Sequence, residues 1–562
     1  MKKGTFPSLA FLVFTLALAT AVSAQTPGGD ELTKKVDQLF AAWDKPDSPG
    51  VAIAVIKDGA VVYKRGYGSA NLEYDVPITP ATVFHVASVS KQFTAFAVTQ
   101  LANQGKLSLD DDIRKHLPEV PDFGKKITVR HLIHHTSGLR DQWTLLAMGG
   151  WRLDDVITKE HILKMVRNQK ELNFDPGQEN LYSNTGYTLL AVIVERVSGQ
   201  SFREYTEANI FKPLGMTNTH FHDDHEMIVK NRAYSYETAD RGGLKLAALN
   251  YANVGATSLF TTADDLAKWV LNFEDKKVGG AGVIEQMHQR GVLTNGKQTG
   301  YAFGLGIGPY RGLNTVGHAG GDAAYRSFVF WFPEQRFGVV ALSNFASVNP
   351  QRMAMRIADL YLADKLAPEQ PRPTAAARTP VKVDPVIYDA YVGRYLVEGG
   401  IVRLFKEDGR LMGQPDGQAK SELVPQSETK FFIKEINAEA NFERDEKGKV
   451  VRFTLTGPNQ TQSARRLDSP PATAAQLGEF AGDYYGPELG TTYTMVVKDG
   501  RLTVQHRRHD DMQLTELDGD LFTGPQWFFQ RVQFTRNHEK RIDGFRLTAG
   551  RVRNIRFERQ SK

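Results

Sequence analysis

The last third of the chain repeats itself. Tyr391-Val392-Gly393-Arg394-Tyr395 returns as Phe480-Ala481-Gly482-Asp483-Tyr484. Asp408-Gly409-Arg410 returns as Asp499-Gly500-Arg501, and Phe442 and Phe453 return as Phe534 and Phe545. The copies are spaced by about 90 residues, so each is one small structural unit. Both alternate apolar and polar residues between Gly, Asn and Asp turns, as in Val402-Arg403-Leu404-Phe405 and Tyr493-Thr494-Met495-Val496-Val497. Period two with frequent turns is the pattern of antiparallel strands. About 85 residues of such hairpins suit a small barrel or half-barrel. Neither copy carries an obvious catalytic cluster. His506, His509, Asp510 and Asp511 crowd one turn and read as a solvated loop rather than a metal site.

Two proline-rich breaks set the copies apart. The stretch from Ala367 to Pro380 is rich in Pro and Ala, which suits a stiff exposed linker, and Asp468-Ser469-Pro470-Pro471-Ala472 is a second break. The expected plan is a large domain over residues 31–366, a linker over 367–384, and β-domains over 385–467 and 474–562. Ahead of them, Lys2 and Lys3 precede an apolar run from Leu9 to Ala21 and then Val22-Ser23-Ala24. This reads as a secretory signal peptide over 1–24, cleaved after Ala24. The run is short of the roughly 20 residues that a membrane span needs. No later segment is apolar for long enough, so the expected product is periplasmic or secreted, with no stable membrane span.

The chain has no cysteine. That excludes disulfides, thiolate metal sites and a cysteine nucleophile. A serine, a threonine or a metal-bound water must supply any nucleophile. Lys and Arg number 69 against 64 Asp and Glu, a net charge of +5. So small an excess asks for no nucleic-acid partner.

The large N-terminal piece mixes strands and helices. Val51 to Ile56, Asp58-Gly59, and Val61 to Tyr63 form one hairpin signal. Phe328 to Phe332 and Gly338 to Leu342 form another, with helical patterns between the two. The expected class is α+β, an antiparallel sheet packed with helices.

The segment Val86-Ala87-Ser88-Val89-Ser90-Lys91-Gln92-Phe93 carries the chemistry. Apolar residues at Val89, Phe93, Phe96, Ala97 and Leu101 have helical spacing, and Gly105 is placed to end the helix. Ser88 is then expected at the helix start with Lys91 one turn on, on the same face. A serine hydroxyl is a poor nucleophile until a neighbour takes its proton. A lysine whose pKa is lowered by burial could do so. Tyr182-Ser183-Asn184 stands in a polar loop before an apolar helix from Tyr187 to Val197, and His318-Ala319-Gly320-Gly321 precedes the second hairpin.

These three segments, in this order, resemble the motifs of the serine β-lactamase and penicillin-binding protein superfamily. The flanking Leu132-Ile133-His134-His135-Thr136-Ser137-Gly138-Leu139, Pro213-Leu214-Gly215-Met216 and Thr261-Thr262-Ala263-Asp264-Asp265-Leu266 resemble it too, over roughly residues 35 to 365. The resemblance implies a β-lactamase/transpeptidase-like fold with an all-helical region. It implies that Ser88 is acylated, that Lys91 and Tyr182 share the proton transfers, and that Asn184, His318 and Gly320 contact the substrate. Backbone N–H groups of Ser88 and Gly321 would form the oxyanion hole. No cofactor or metal is implied. His318 departs from the Lys-Thr-Gly triplet of many members, so a fixed positive charge is lost or made pH-dependent there. The pocket is therefore not expected to demand a carboxylate at neutral pH.

A catalytic domain followed by two β-modules also resembles bacterial D-stereospecific aminopeptidases in layout. The reading is an exported serine hydrolase of the peptidase S12 type, acting on D-amino-acid-containing peptides or amides, or on esters. The alternatives are a broad β-lactamase or esterase, and a penicillin-recognising sensor with little turnover. The partner is a small peptide, amide or ester substrate. The sequence leaves the oligomeric state open. Three clusters read as structural. His220, His222, Asp223, Asp224, His225 and Glu226 fit a solvated loop, His134 and His135 fit packing, and Gly304-Leu305-Gly306-Ile307-Gly308 lacks the frame of a nucleotide fingerprint.

Overall fold

Strand β1 (Val51–Lys57) is an apolar run without alternation because both of its faces are buried. Val51, Ile53 and Val55 point into one core, and Ala52, Ala54 and Ile56 into another. It turns at Asp58-Gly59 into β2 (Ala60–Tyr67), and both turn residues have positive φ, 51° and 81°. That is the backbone a two-residue hairpin requires. The computed structural model describes residues 29–369 and 381–561, apart from 398–399, 416–417, 458–460 and 469–471. The expected signal peptide and residues 370–380 of the expected linker lie outside the described residues.

The remaining strands of the main sheet come from the other end of the domain. They are β3 (Gly306–Tyr310), β4 (Leu313–Asp322), β5 (Tyr325–Phe332) and β6 (Phe337–Ser343). The order is β3-β4-β5-β6-β1-β2, antiparallel throughout, with Val51 opposite Ser343. His318 to Gly321, expected ahead of the hairpin, lie inside β4. Beyond Gly317 this strand pairs only with β5, because β3 ends there. One edge of β4 is thus left without a strand partner.

Helices cover both faces of the sheet. On one side α1 (Gly29–Phe40) and the C-terminal helix Pro350–Tyr361 bury Val36, Phe40, Ala354 and Ile357 against Phe328, Phe330 and Phe332. On the other lie α2 (Ser90–Asn103), α3 (Gln142–Met148), α4 (Asn184–Ser198) and α5 (Ala263–Asp275). Trp269 of α5 packs on Phe93 at 4.2 Å and Phe96 at 5.1 Å, and its indole N–H donates to Gln92 Oε1. Each such side chain contributes roughly 1.5–3 kcal/mol by burial. Together they fix α2 against α5, which itself packs on β1 and β6. Gly105 follows α2 with φ +71°, as its expected stop.

The two C-terminal copies each fold into one nine-stranded antiparallel sheet. Counted along each copy, the strands lie in the order 4-3-2-1-9-8-7-6-5 in both. The outer strands are consecutive in the chain, so each sheet nearly closes into a barrel. The Asp408-Gly409 and Asp499-Gly500 turns share the same paired positive φ. Tyr395 and Tyr484 each donate to the carbonyl four residues back, at 2.8 Å.

The copies differ in how they dock. The first has its own core around Tyr391, Phe431 and Phe442. The core of the second, with Tyr484, Tyr493 and Phe557, is continuous with that of the large domain. This overturns the solvated-loop reading of His506 and His509. The His506 ring packs against Gly150, with Nε2 2.8 Å from Thr491 Oγ1, and His509 Nε2 donates to the Ala147 carbonyl at 2.8 Å. Asp510 and Asp511 remain exposed. His220 and His222 are likewise packed, on the Phe260 ring, and burial pushes their pKa down to about 4 and about 3. Asp223, Asp224, His225 and Glu226 form the exposed remainder of that loop.

Candidate active site

Ser88 stands in a short 3-10 turn, Ala87–Val89, rather than in the α-helix that follows it. Ala87 has φ +47°, a conformation that costs a non-glycine residue about 1–3 kcal/mol and persists only where its surroundings impose it. Those surroundings are visible. Ser90 Oγ donates to the Ala87 carbonyl at 2.6 Å, and Ser327 Oγ of β5 donates to the Val86 carbonyl at 2.8 Å. The open part of β4 presses on the same turn. A Cβ on Gly320 would stand 2.3 Å from the Val86 oxygen, so this position tolerates only glycine. Gly320, expected to contact substrate, lets β4 lie against the Ser88 turn. Gly321 beside it has room, with Arg326 side-chain atoms at 3.6 Å.

Lys91 is 0 % exposed. Its Nζ lies 3.0 Å from Ser88 Oγ, 2.8 Å from Asn184 Oδ1 and 2.6 Å from the Ala256 carbonyl. The last two partners can only accept. A neutral amine has two N–H donors and one lone pair, so it donates to Asn184 and Ala256 and turns its lone pair to the Ser88 hydroxyl. Burial lowers the Lys91 pKa to about 7, opposed by the charges of Asp322 and Asp141. Gly304 makes this burial possible. Its Cα packs on the Lys91–Gln92 backbone, where a Cβ would come within 2.6 Å.

Asn184 is the first residue of α4, which starts earlier than the expected Tyr187. Its backbone N–H and its Nδ2 both donate to Asp141 Oδ2 at 2.8 Å. Asp141 also caps α3, accepting from the Trp143 N–H at 3.1 Å. One buried carboxylate therefore serves the N-termini of two helices, where negative charge is favoured. Asn184, expected to hold substrate and Lys91, is itself buried, with its oxygen on Lys91 and one amide N–H on Asp141.

The Tyr182 ring lies 4.9 Å from Lys91 Nζ. Its hydroxyl is buried; burial raises its pKa and the neighbouring Ser88 opposes that rise. His135, read as structural, packs on Tyr182 with the rings tilted and their centroids 4.2 Å apart, and accepts the Ser183 N–H at Nδ1. His318 lies across the site, its Nε2 3.0 Å from the Tyr301 hydroxyl. Burial, and then the Lys91 charge, lower its pKa to about 4, so the ring is neutral at neutral pH. Asp322, just beyond Gly321, accepts from Thr257 Oγ1 and lies 3.0 Å from His85 Nε2.

The structure thus brings Ser88, Lys91, Tyr182, Asn184, His318, Gly320 and Gly321 to one end of the sheet. Asp141, Tyr301, Asp322 and Arg551 belong to the same site and were missed. Asp141 carries a helix-capping signal, two residues after the Leu139 that ends a recognised segment. Asp322 directly follows the His318 motif. Nothing local marks Arg551, which reaches the site from the second β-module with its guanidinium 4.7 Å from the Tyr182 ring centroid.

Residues 36–363 match the family model described as Beta-lactamase, and residues 377–469 match a domain of unknown function, DUF3471. The chain is 29 % identical over 437 residues to penicillin-binding protein 4* of Bacillus subtilis (strain 168), covering 73 % of this chain and 93 % of that one. It is 26 % identical over 485 residues to a D-aminopeptidase of Gluconobacter oxydans (strain 621H), covering 83 % and 87 %. Among solved structures, the octameric penicillin-binding protein homologue from Pyrococcus abyssi superposes with a TM-score of 0.56 at 26 % identity. That match covers 78 % of this chain and 100 % of the other.

Proposed function

We propose, from the premise that the chain belongs to the β-lactamase family of serine hydrolases, that it forms an acyl-enzyme at Ser88. Its substrates are D-amino-acid-containing peptides or amides, or esters. One observation carries this reading: a wholly buried lysine amine, with a pKa near neutrality, 3.0 Å from a serine hydroxyl. A general base works best with its pKa near the operating pH.

In this reading the Ser88 proton passes to Lys91 as Oγ attacks the substrate carbonyl. The oxyanion is received by the backbone N–H groups of Ser88 and Gly321, the latter on the open edge of β4. Tyr182, whose buried hydroxyl neighbours Ser88, relays a proton to the leaving amine or alcohol. Water then attacks the acyl-enzyme, with Lys91 and Tyr182 acting in reverse. Asn184 keeps Lys91 in place, and His318 presents an uncharged ring to the site, its Nδ1–H donating to the Ala319 carbonyl at 2.5 Å and its Nε2 held by the Tyr301 hydroxyl. The similarity to a D-aminopeptidase and a penicillin-binding protein supports D-residue peptides as the substrate class. Among the described residues no helix is long and apolar enough to cross a membrane, and the basic-then-apolar N-terminal sequence supports export.

Intact mass after treatment with a fluorophosphonate tests the assignment. Wild type should gain one adduct and Ser88→Ala none. An adduct that persists in Ser88→Ala overturns it.

A further inference from the structure

The seam between the large domain and the second β-module is lined by arginines, and nearly all are spent on carboxylates. Arg140 meets Glu488 at 2.5 Å, both buried. Arg508 meets Asp155 at 2.7 Å, Arg553 meets Glu179 at 3.0 Å, and Arg546 meets Glu171 at 3.1 Å. Arg551 departs from this pattern. It lies in the turn Gly550-Arg551, between the strands Ile542–Ala549 and Val552–Arg559. Its backbone is pinned, because Asn173 Nδ2 donates to its carbonyl at 2.9 Å and the Arg553 N–H donates to Asn173 Oδ1 at 2.8 Å. Its guanidinium makes no hydrogen bond among the described residues, and the side chain is 44 % exposed. The Asp141 carboxylate is 3.8 Å away, but its Oδ2 already accepts two N–H groups from Asn184.

A guanidinium over an aromatic ring keeps its planar fork of N–H donors available. Here that fork is mounted on a fixed turn, over the ring whose hydroxyl lies beside Ser88. The other cations of the site are committed. Lys91 is sealed beneath Ser88, and Arg326 donates to the Ala323 and Tyr325 carbonyls. His318 is neutral. We propose that Arg551 recognises a carboxylate on the substrate, the free C-terminal carboxylate of a D-residue peptide. The substrate site is then complete only with the second β-module docked. The inference rests on the acyl-enzyme reading of the site. It also replaces the expectation drawn from His318 alone, that the pocket lacks a fixed cation.

Calorimetric titration of the full chain with N-acetyl-D-alanyl-D-alanine, and with its C-terminal carboxamide, tests this. Wild type should bind the carboxylate at least about tenfold more tightly, as expected of a charge-assisted bidentate pair. Arg551→Gln should bring the two affinities to within about twofold, and Arg551→Lys should keep part of the preference, since the charge remains without the fork. Loss of folded protein changes the stoichiometry and not the ratio of dissociation constants. Equal affinities in wild type, no binding of the carboxylate, or an unchanged ratio in Arg551→Gln would each overturn the role of Arg551. Fluorophosphonate labelling of the same wild-type preparation separates the two readings. No label overturns the acyl-enzyme reading, whereas labelled but unselective protein overturns the role of Arg551 alone.

Discussion

Asp141 Oδ2 accepts both the backbone and the side-chain N–H of Asn184, each at 2.8 Å. This settles which way the Asn184 amide faces. Its nitrogen is spent on the carboxylate, so its oxygen is turned to Lys91 Nζ at 2.8 Å. Asp141 is thus a positioning residue for the lysine, and its charge also holds the Lys91 pKa up.

Asp141→Asn keeps the shape and removes the charge. Asn184 then loses its strongest acceptor, and kcat/KM for a p-nitrophenyl ester should fall by at least about tenfold, since hydrogen bonds to charged groups are worth about 1.5–3 kcal/mol. The acid limb of the pH profile should also move to lower pH, because a charge that raises the Lys91 pKa is gone. An unmoved limb would mean that Asp141 acts through packing alone.

Lys91 should set the acid limb of wild-type kcat/KM near pH 7. Below that pH the amine is protonated and cannot take the Ser88 proton; above it the amine is free. His318, lowered to about 4, is already neutral across this range, so His318→Gln should leave the limb in place. Lys91→Ala and Tyr182→Phe should each lower kcat by at least about a hundredfold. The double variant should be little worse, as residues acting as a unit are non-additive. Steady-state rates between pH 5 and 9 check all of these, and a limb that follows His318 instead of Lys91 would reassign the base.

Gly320→Ala and Gly321→Ala should part company. A Cβ at 320 meets the Val86 oxygen at 2.3 Å and Ser327 Oγ at 2.4 Å, whereas one at 321 meets only Arg326 atoms at 3.6 Å or more. The first should cost about 1–3 kcal/mol by overpacking and push β4 from the Ser88 turn. The second should melt within about 0.5 kcal/mol of wild type. Urea unfolding of both variants, with fluorophosphonate labelling rates, reads the difference.

Arg140→Ala leaves the Glu488 carboxylate buried without its partner, and burial already raises the Glu488 pKa. Removing one member of a buried pair costs about 3–5 kcal/mol. The cost falls on the seam, so limited proteolysis should release the second β-module from the variant while wild type stays intact. Equal protease resistance in both proteins would show that the apolar contacts alone hold the module.

What the sequence determined is what short-range chemistry can write. Ser88 and Lys91 are three residues apart, so their contact follows from local geometry. The strands of the β-modules follow from period two and from turns whose Asp-Gly pairs accept positive φ. Four strands of the large domain's sheet were legible for a different reason, as apolar runs on either side of a turn, buried on one or both faces, whereas β3 and β4 carry no such run and were not legible. What tertiary structure decided depends on sums over distant residues. The two modules share strand order and motifs, yet only the second shares a core with the large domain, because docking turns on individual side chains such as Glu488, Tyr493 and His506. The Lys91 pKa depends on how much water Asn184, Ala256 and Gly304 exclude, and on charges at 141, 322 and 551. His318 and Arg551 show the contrast best. The first announced a missing cation from its place in a motif. The second brings one from the last hairpin of the chain, where no local pattern distinguishes it from other surface arginines.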